Sequence, residues 1–137
     1  MTVAACAALV ERADPDRFLA AMAAPVPLRL HLFPLFALNV EVARAPWVTD
    51  EPPIAEMRLQ WWRDAVAEIA AGKPPRAHEV AAPLAEVIRD HDLPLAVLDR
   101  MIAARRWDIY RDPFEDQGHF DEHIDKTAGD LMWLGCL

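Results

Sequence analysis

Glycine is scarce in this chain, four among 137 residues. So few residues free to take positive φ leave no glycine-rich phosphate loop. Cysteine is scarcer: Cys6 and Cys136 stand at opposite ends with no CxxC or Cys/His spacing. They make no zinc ligand set and are expected as reduced thiols. No segment alternates with period two for long enough to argue a strand. Positive charge is in deficit: 14 Lys and Arg against 22 Asp and Glu give a net charge of −8. That balance argues against a nucleic-acid partner, and against attraction to anionic lipid by charge alone. The N-terminus lacks a basic region before Glu11 and Arg12, so no signal peptide is expected. The longest apolar stretch, Leu28 to Val42, is broken by Arg29, His31, Asn39 and Glu41 and is expected to be too short to span a membrane. The expected compartment is the cytoplasm, with a peripheral position at the inner membrane as the alternative.

What the chain holds in quantity is alanine, leucine and proline. Its length fits one domain. The twelve prolines mostly fall between apolar-periodic stretches, which suits helices joined by short stiff turns. The expected fold is all-α. The pattern predicts helices over about 2–12, 14–22, 27–44, 53–71, 78–90 and 94–111, and a final segment from about Phe120. Asp14-Pro15 offers an N-cap and a first-turn proline, Pro34 should bend the third helix, and Gly72-Lys73-Pro74-Pro75 should stop the fourth. The last stretch, Leu131-Met132-Trp133-Leu134-Gly135-Cys136-Leu137, is apolar on more than one face. It leads us to expect the N-terminal part of a longer domain, and self-association of the chain as given.

Two stretches carry the chemistry. The third helix is apolar on nearly every side around Phe36 to Arg44, yet bears Asn39, Glu41 and Arg44. Polar groups on a buried helix need partners or a function. On the fourth helix, Ile54, Met57, Trp61, Trp62, Ala65, Val66 and Ile69 fill one arc of the wheel, and Glu56, Gln60, Arg63 and Ala67 the opposite one. Arg58 falls inside the apolar arc. An ion pair between Glu41 and Arg58 at a cavity wall is expected, with Arg58 as a phosphate candidate, Trp61 and Trp62 as lining or plain core, and Asn39, Arg44, Gln60 and Arg63 as further cavity or phosphate candidates.

The run Phe36 to Arg44, the block Met57-Arg58-Leu59-Gln60-Trp61-Trp62-Arg63-Asp64 and Asp92-Leu93-Pro94 resemble the N-terminal half of squalene/phytoene synthases. The likeness extends from about Asp14 to the end of the chain. It implies an isoprenoid-synthase-like helical bundle, here a partial domain of six to seven helices over residues 1–137. It also implies head-to-head condensation of two prenyl diphosphates, with Mg²⁺ held between two aspartate-rich helices. The sequence departs from that pattern where the first aspartate-rich motif should stand. There it reads Ala43-Arg44-Ala45-Pro46-Trp47, without a carboxylate. Mg²⁺ needs hard oxygen ligands, which these residues lack. The second motif would lie beyond Leu137. Asn39-Val40-Glu41 resembles instead the divergent branch that includes the mitochondrial complex I assembly factor, and so implies a protein that is not catalytic.

Other constellations are weaker. Asp50, Glu51 and Asp64 are the acidic residues close enough to replace the missing motif, or Asp50 and Glu51 serve as caps before Pro52-Pro53. His119 and His123, with Asp121 and Asp125, have the i, i+4 spacing of a zinc helix but read as solvated surface. Arg105, Arg106 and Arg111 with Trp107 and Tyr110 read as a last helical turn rather than a phosphate site. Two functions follow. One is a non-catalytic binding or assembly protein without cofactor, taking an isoprenoid or lipid ligand or a respiratory-complex subunit. The other is a prenyltransferase using Mg²⁺.

Overall fold

Prolines set the joints of this chain. A computed structural model describes residues 3–47, 51–106, 109 and 117–136, all helix or short connection. Helix α1 spans Val3–Ala13, α2 Pro15–Met22, α3 Val26–Arg44, α4 Pro52–Ala70, α5 Ala81–His91 and α6 Leu95–Ala103. After α6 come α7 (Gln117–Ile124), a π-helical turn (Asp125–Gly129) and α8 (Asp130–Gly135). The all-α expectation is met. Pro15, Pro52 and Pro53 occupy first-turn positions, where a missing N–H leaves no bond unmade. Asp14 occupies the cap position of α2, but its carboxylate accepts from Arg17 Nη1 at 2.6 Å rather than from the backbone.

Helix α4 stops where expected. Gly72 has φ +85°, Gly72 N–H donates to Ile69 O and Lys73 N–H to Glu68 O, each at 3.0 Å. These bonds make a Schellman end, which needs the left-handed conformation glycine adopts without strain. Helix α5 ends the same way on Asp92, at φ 50° and ψ 51°. It starts at Ala81 rather than His78, and α6 ends at Ala103. Residues 107, 108 and 110–116, including Trp107, Tyr110 and Arg111, lie outside the described residues, as do Asp50, Leu137 and the His119 side chain.

Helix α3 is the hub, touched by α1, α2, α4, α5 and α8, while α4 packs on α5 and α6. Every residue of α3 from Phe33 to Val40 is buried. With 19 residues and an 18-residue window of mean hydropathy 1.3, α3 is long and apolar enough to cross a membrane by length and composition, contrary to expectation. Here 56% of that apolar window is buried within the fold. Arg29 fixes the α2–α3 corner, donating to Ala24 O at 3.2 Å and Met22 O at 2.7 Å, carbonyls at the end of α2. Both cysteines are free thiols; burial, then the Glu79 charge, pushes the Cys6 pKa up to about 11.

The closing stretch corrects the expectation of an uncovered apolar tail. Leu131 and Leu134 are fully buried, α8 packs on α3 and α6, and only Met132 and Trp133 of its large apolar residues are exposed. His31 Nε2, itself buried, meets the Leu134 carbonyl at 3.1 Å. The π turn has a local cause: the Thr127 hydroxyl donates back to His123 O at 2.8 Å, competing with the helical ladder.

Candidate functional site

The end of α3, the outer strip of α4 and the connection before α5 enclose a groove of about 370 Å³. Its lining includes Glu41, Arg44, Met57, Arg58, Trp61 and His78, with Trp62 beneath. The buried strip of α4 follows the expected arc at Trp62, Ala65, Val66 and Ile69 but shifts to Ala55 and Leu59 in the first half of the helix, and that shift opens the groove. Ala55, Leu59, Trp62, Ala65, Val66 and Ile69 face the core at helical spacing. That shift leaves Ile54 40% and Met57 70% exposed and turns Arg58 outward.

Aromatic rings form the groove's firm end. Trp61 and Trp62 meet edge to face at 4.8 Å, and Trp62 and His78 at 5.0 Å. Such pairs favour this geometry because ring edges are positive and faces negative. The His78 Nδ1 accepts the Val80 N–H at 3.1 Å, which leaves the proton of the neutral ring on Nε2. The Arg76 guanidinium lies 5.2 Å from the Trp61 ring centre and grips Glu68 through two bonds of 3.1 and 2.6 Å. That bond holds the Glu68 carboxyl below its ordinary range. Arg76 and His78 were missed in the sequence. They lie in a non-helical connection, where no periodicity marks which way a side chain points.

The Glu41–Arg58 pair expected from the sequence is not formed. Arg44 Nη2 donates to Glu41 Oε1 at 2.8 Å, one helical turn away on the same element. Glu41 keeps 13% side-chain exposure and Arg44 51%, so this pair sits at the groove's rim. The local i, i+3 partner wins because neither side chain must be carried between elements.

The remaining candidates scatter. Asn39 is buried inside the bundle and accepts from Arg105 Nη2 at 3.4 Å. Gln60 faces away and donates to Asp64 at 2.8 Å. Arg63 clamps α4 to α6 through two bonds to Asp99, at 2.7 and 3.0 Å. That hydrogen bonding raises the Arg63 pKa above its ordinary value. Arg106 binds Glu56 rather than an anion site. Glu51 holds the cap position of α4 without a side-chain cap bond. Among the described residues no three His, Cys, Asp or Glu side chains gather into a metal-binding group. The described part of the site therefore offers an apolar floor, aromatic walls and guanidinium groups, which suit binding more than Lewis-acid chemistry.

Comparison with known proteins agrees with this architecture. Complex I assembly factor 6 of Mus musculus is 26% identical over 129 residues, covering 94% of this chain and 38% of that protein. The Bos taurus protein of the same name is 27% identical with the same coverage. The Drosophila melanogaster homolog is 31% identical over 137 residues, covering 94% of the chain and 40% of that protein. The chain thus spans about two fifths of the length of these relatives. No solved structure matches it significantly. The model of the squalene/phytoene synthase family matches residues 10–135, nearly the whole helical array, and the chain belongs to that family.

Proposed function

We propose that this chain is a non-catalytic, assembly-type member of its family that acts in building respiratory complex I. The observation that carries the reading is the lack of side-chain oxygen ligands where the family's first aspartate-rich motif should stand. The carboxylate nearest the expected motif, Glu41, is taken by Arg44, and Ala43, Ala45 and Trp47 have no side-chain oxygen to offer. The relatives bearing complex I assembly names support the biological setting.

Two measurements test the two halves of the proposal. Disrupting the chain in its native cell should lower assembled complex I on native gels and its NADH oxidation, with complex II in the same membranes unchanged. Undiminished complex I would overturn the assembly role. Separately, the purified chain with farnesyl or geranylgeranyl diphosphate and Mg²⁺ should release no pyrophosphate above a protein-free control. Release that depends on the metal would restore the prenyltransferase reading.

A further inference from the structure

Arg58 differs from the arginines around it. Arg44 is held by Glu41, Arg63 by Asp99, Arg76 by Glu68, Arg100 by Asp130 and Arg106 by Glu56. Arg58 is exposed and, among the described residues, makes no hydrogen bond or ion pair. A guanidinium cannot give up its proton near neutral pH, so this cation stays charged. It stands in a chain of net charge −8, beside the wet side chains of Ile54 and Met57. The carboxylates that line the depressions on either side of Met57 are paired: Glu41 with Arg44, and Glu56 with Arg106. Among the described arginines that line the two depressions, Arg58 is the one without a carboxylate partner.

The shape of the strip matters as much as its charge. Met57 is a ridge between two depressions. One is the 370 Å³ groove with Trp61 and His78. The other, about 410 Å³, is lined by Pro53, Glu56, Gln60, Arg63 and Arg106 on the far side of Met57. Together they follow α4 from Pro53 to Trp61, about 13 Å of helix. A small-molecule pocket wraps its ligand in one concavity. Two depressions either side of an exposed methionine fit side chains projecting from a longer segment, and methionine adapts readily to such contacts. A flat bilayer would not fill both.

We infer that this strip docks a segment of a partner protein bearing an acidic side chain between apolar ones. The partner's carboxylate pairs with Arg58, and its apolar side chains enter the depressions flanking Met57. The inference rests on the assembly-type reading, in which the chain acts by binding, and it adds the surface and the partner chemistry.

Panning the 137-residue chain against a random displayed peptide library tests it. Enriched peptides should combine Asp or Glu with flanking Leu, Ile, Met or Phe. Arg58→Glu and Met57→Glu should each weaken their binding by about tenfold or more, the scale of a removed anchor. Both side chains are exposed, so the variants should keep the parental melting curve. Replacing the peptide's acidic residue with Lys should restore binding to Arg58→Glu. Three results would overturn the inference: no enrichment, enrichment without acidic preference, or binding indifferent to Arg58→Glu. Retention on phosphatidylserine vesicles that Arg58→Glu abolishes would assign the strip to a membrane and overturn it too. If acidic peptides bind through Arg58 while complex I levels ignore the chain, the docking surface stands and the assembly role falls.

Discussion

Replacing Leu134 with alanine tests whether the apolar closing stretch is part of the folded core. Leu134 is fully buried, α8 packs on α3 and α6, and the Leu134 carbonyl meets His31 of α3. The substitution removes three carbons from that joint. At roughly 0.8 kcal/mol per buried methylene, the transfer contribution is about 2.4 kcal/mol. A cavity walled by helices on two sides collapses only in part, which raises the expected loss to about 3 kcal/mol, within the usual 2–5 for such a change. That is a large share of a typical domain's ~5–15 kcal/mol. Met132→Ala, two residues away at 62% exposure, should stay within about 0.5 kcal/mol of the parent. Urea unfolding followed by far-ultraviolet circular dichroism gives both values. A Leu134→Ala loss below about 1 kcal/mol, indistinguishable from Met132→Ala, would refute the packing of α8 against α3 and return the closing stretch to an uncovered apolar surface.

The fold was legible where the signals are local. The Gly72-Lys73-Pro74-Pro75 stop and the first-turn prolines act within a few residues, and the structure keeps them. Burial of α3 was legible because Phe33 to Val40 leaves no polar face on which to set the helix outward. The face of α4 was legible over Trp62, Ala65, Val66 and Ile69, and not in the first half of the helix. In that first half two apolar strips share the helix, Ile54-Met57-Trp61 and Ala55-Leu59, and the wheel takes the first. Packing within the bundle selects the second, with Ala55 and Leu59 both buried. The site inherits that difference. Arg58 was placed in the core and given Glu41, when the i, i+3 rule already favoured Arg44 for that carboxylate. Arg63–Asp99, 36 residues apart, and the arrival of His78 beside Trp62 depend on how elements dock, and no spacing in the sequence encodes them.

Two further measurements probe the frame around the site. Arg63 and Asp99, at 32% and 38% side-chain exposure, should show a coupling of about 0.5–1 kcal/mol in a double-mutant cycle, high for exposed pairs because the contact is two-pronged. Additive effects would mean that the clamp does not hold α6 to α4. The last concerns His31, whose pKa burial holds below the ordinary 6.5, with the Leu134 carbonyl opposing and the neighbouring His91 ring, 4.4 Å away, adding to the depression. Below about pH 6.5 the unfolded chain binds a proton that the folded one resists, so acid favours unfolding. The contribution of His31 is therefore complete above that pH and declines as pH falls toward its depressed folded value. Denaturation of the parent and of His31→Gln between about pH 7.5 and 5 separates this group from the other histidines, because only the parent carries the additional slope. Coincident slopes would refute the depression of the His31 pKa by burial.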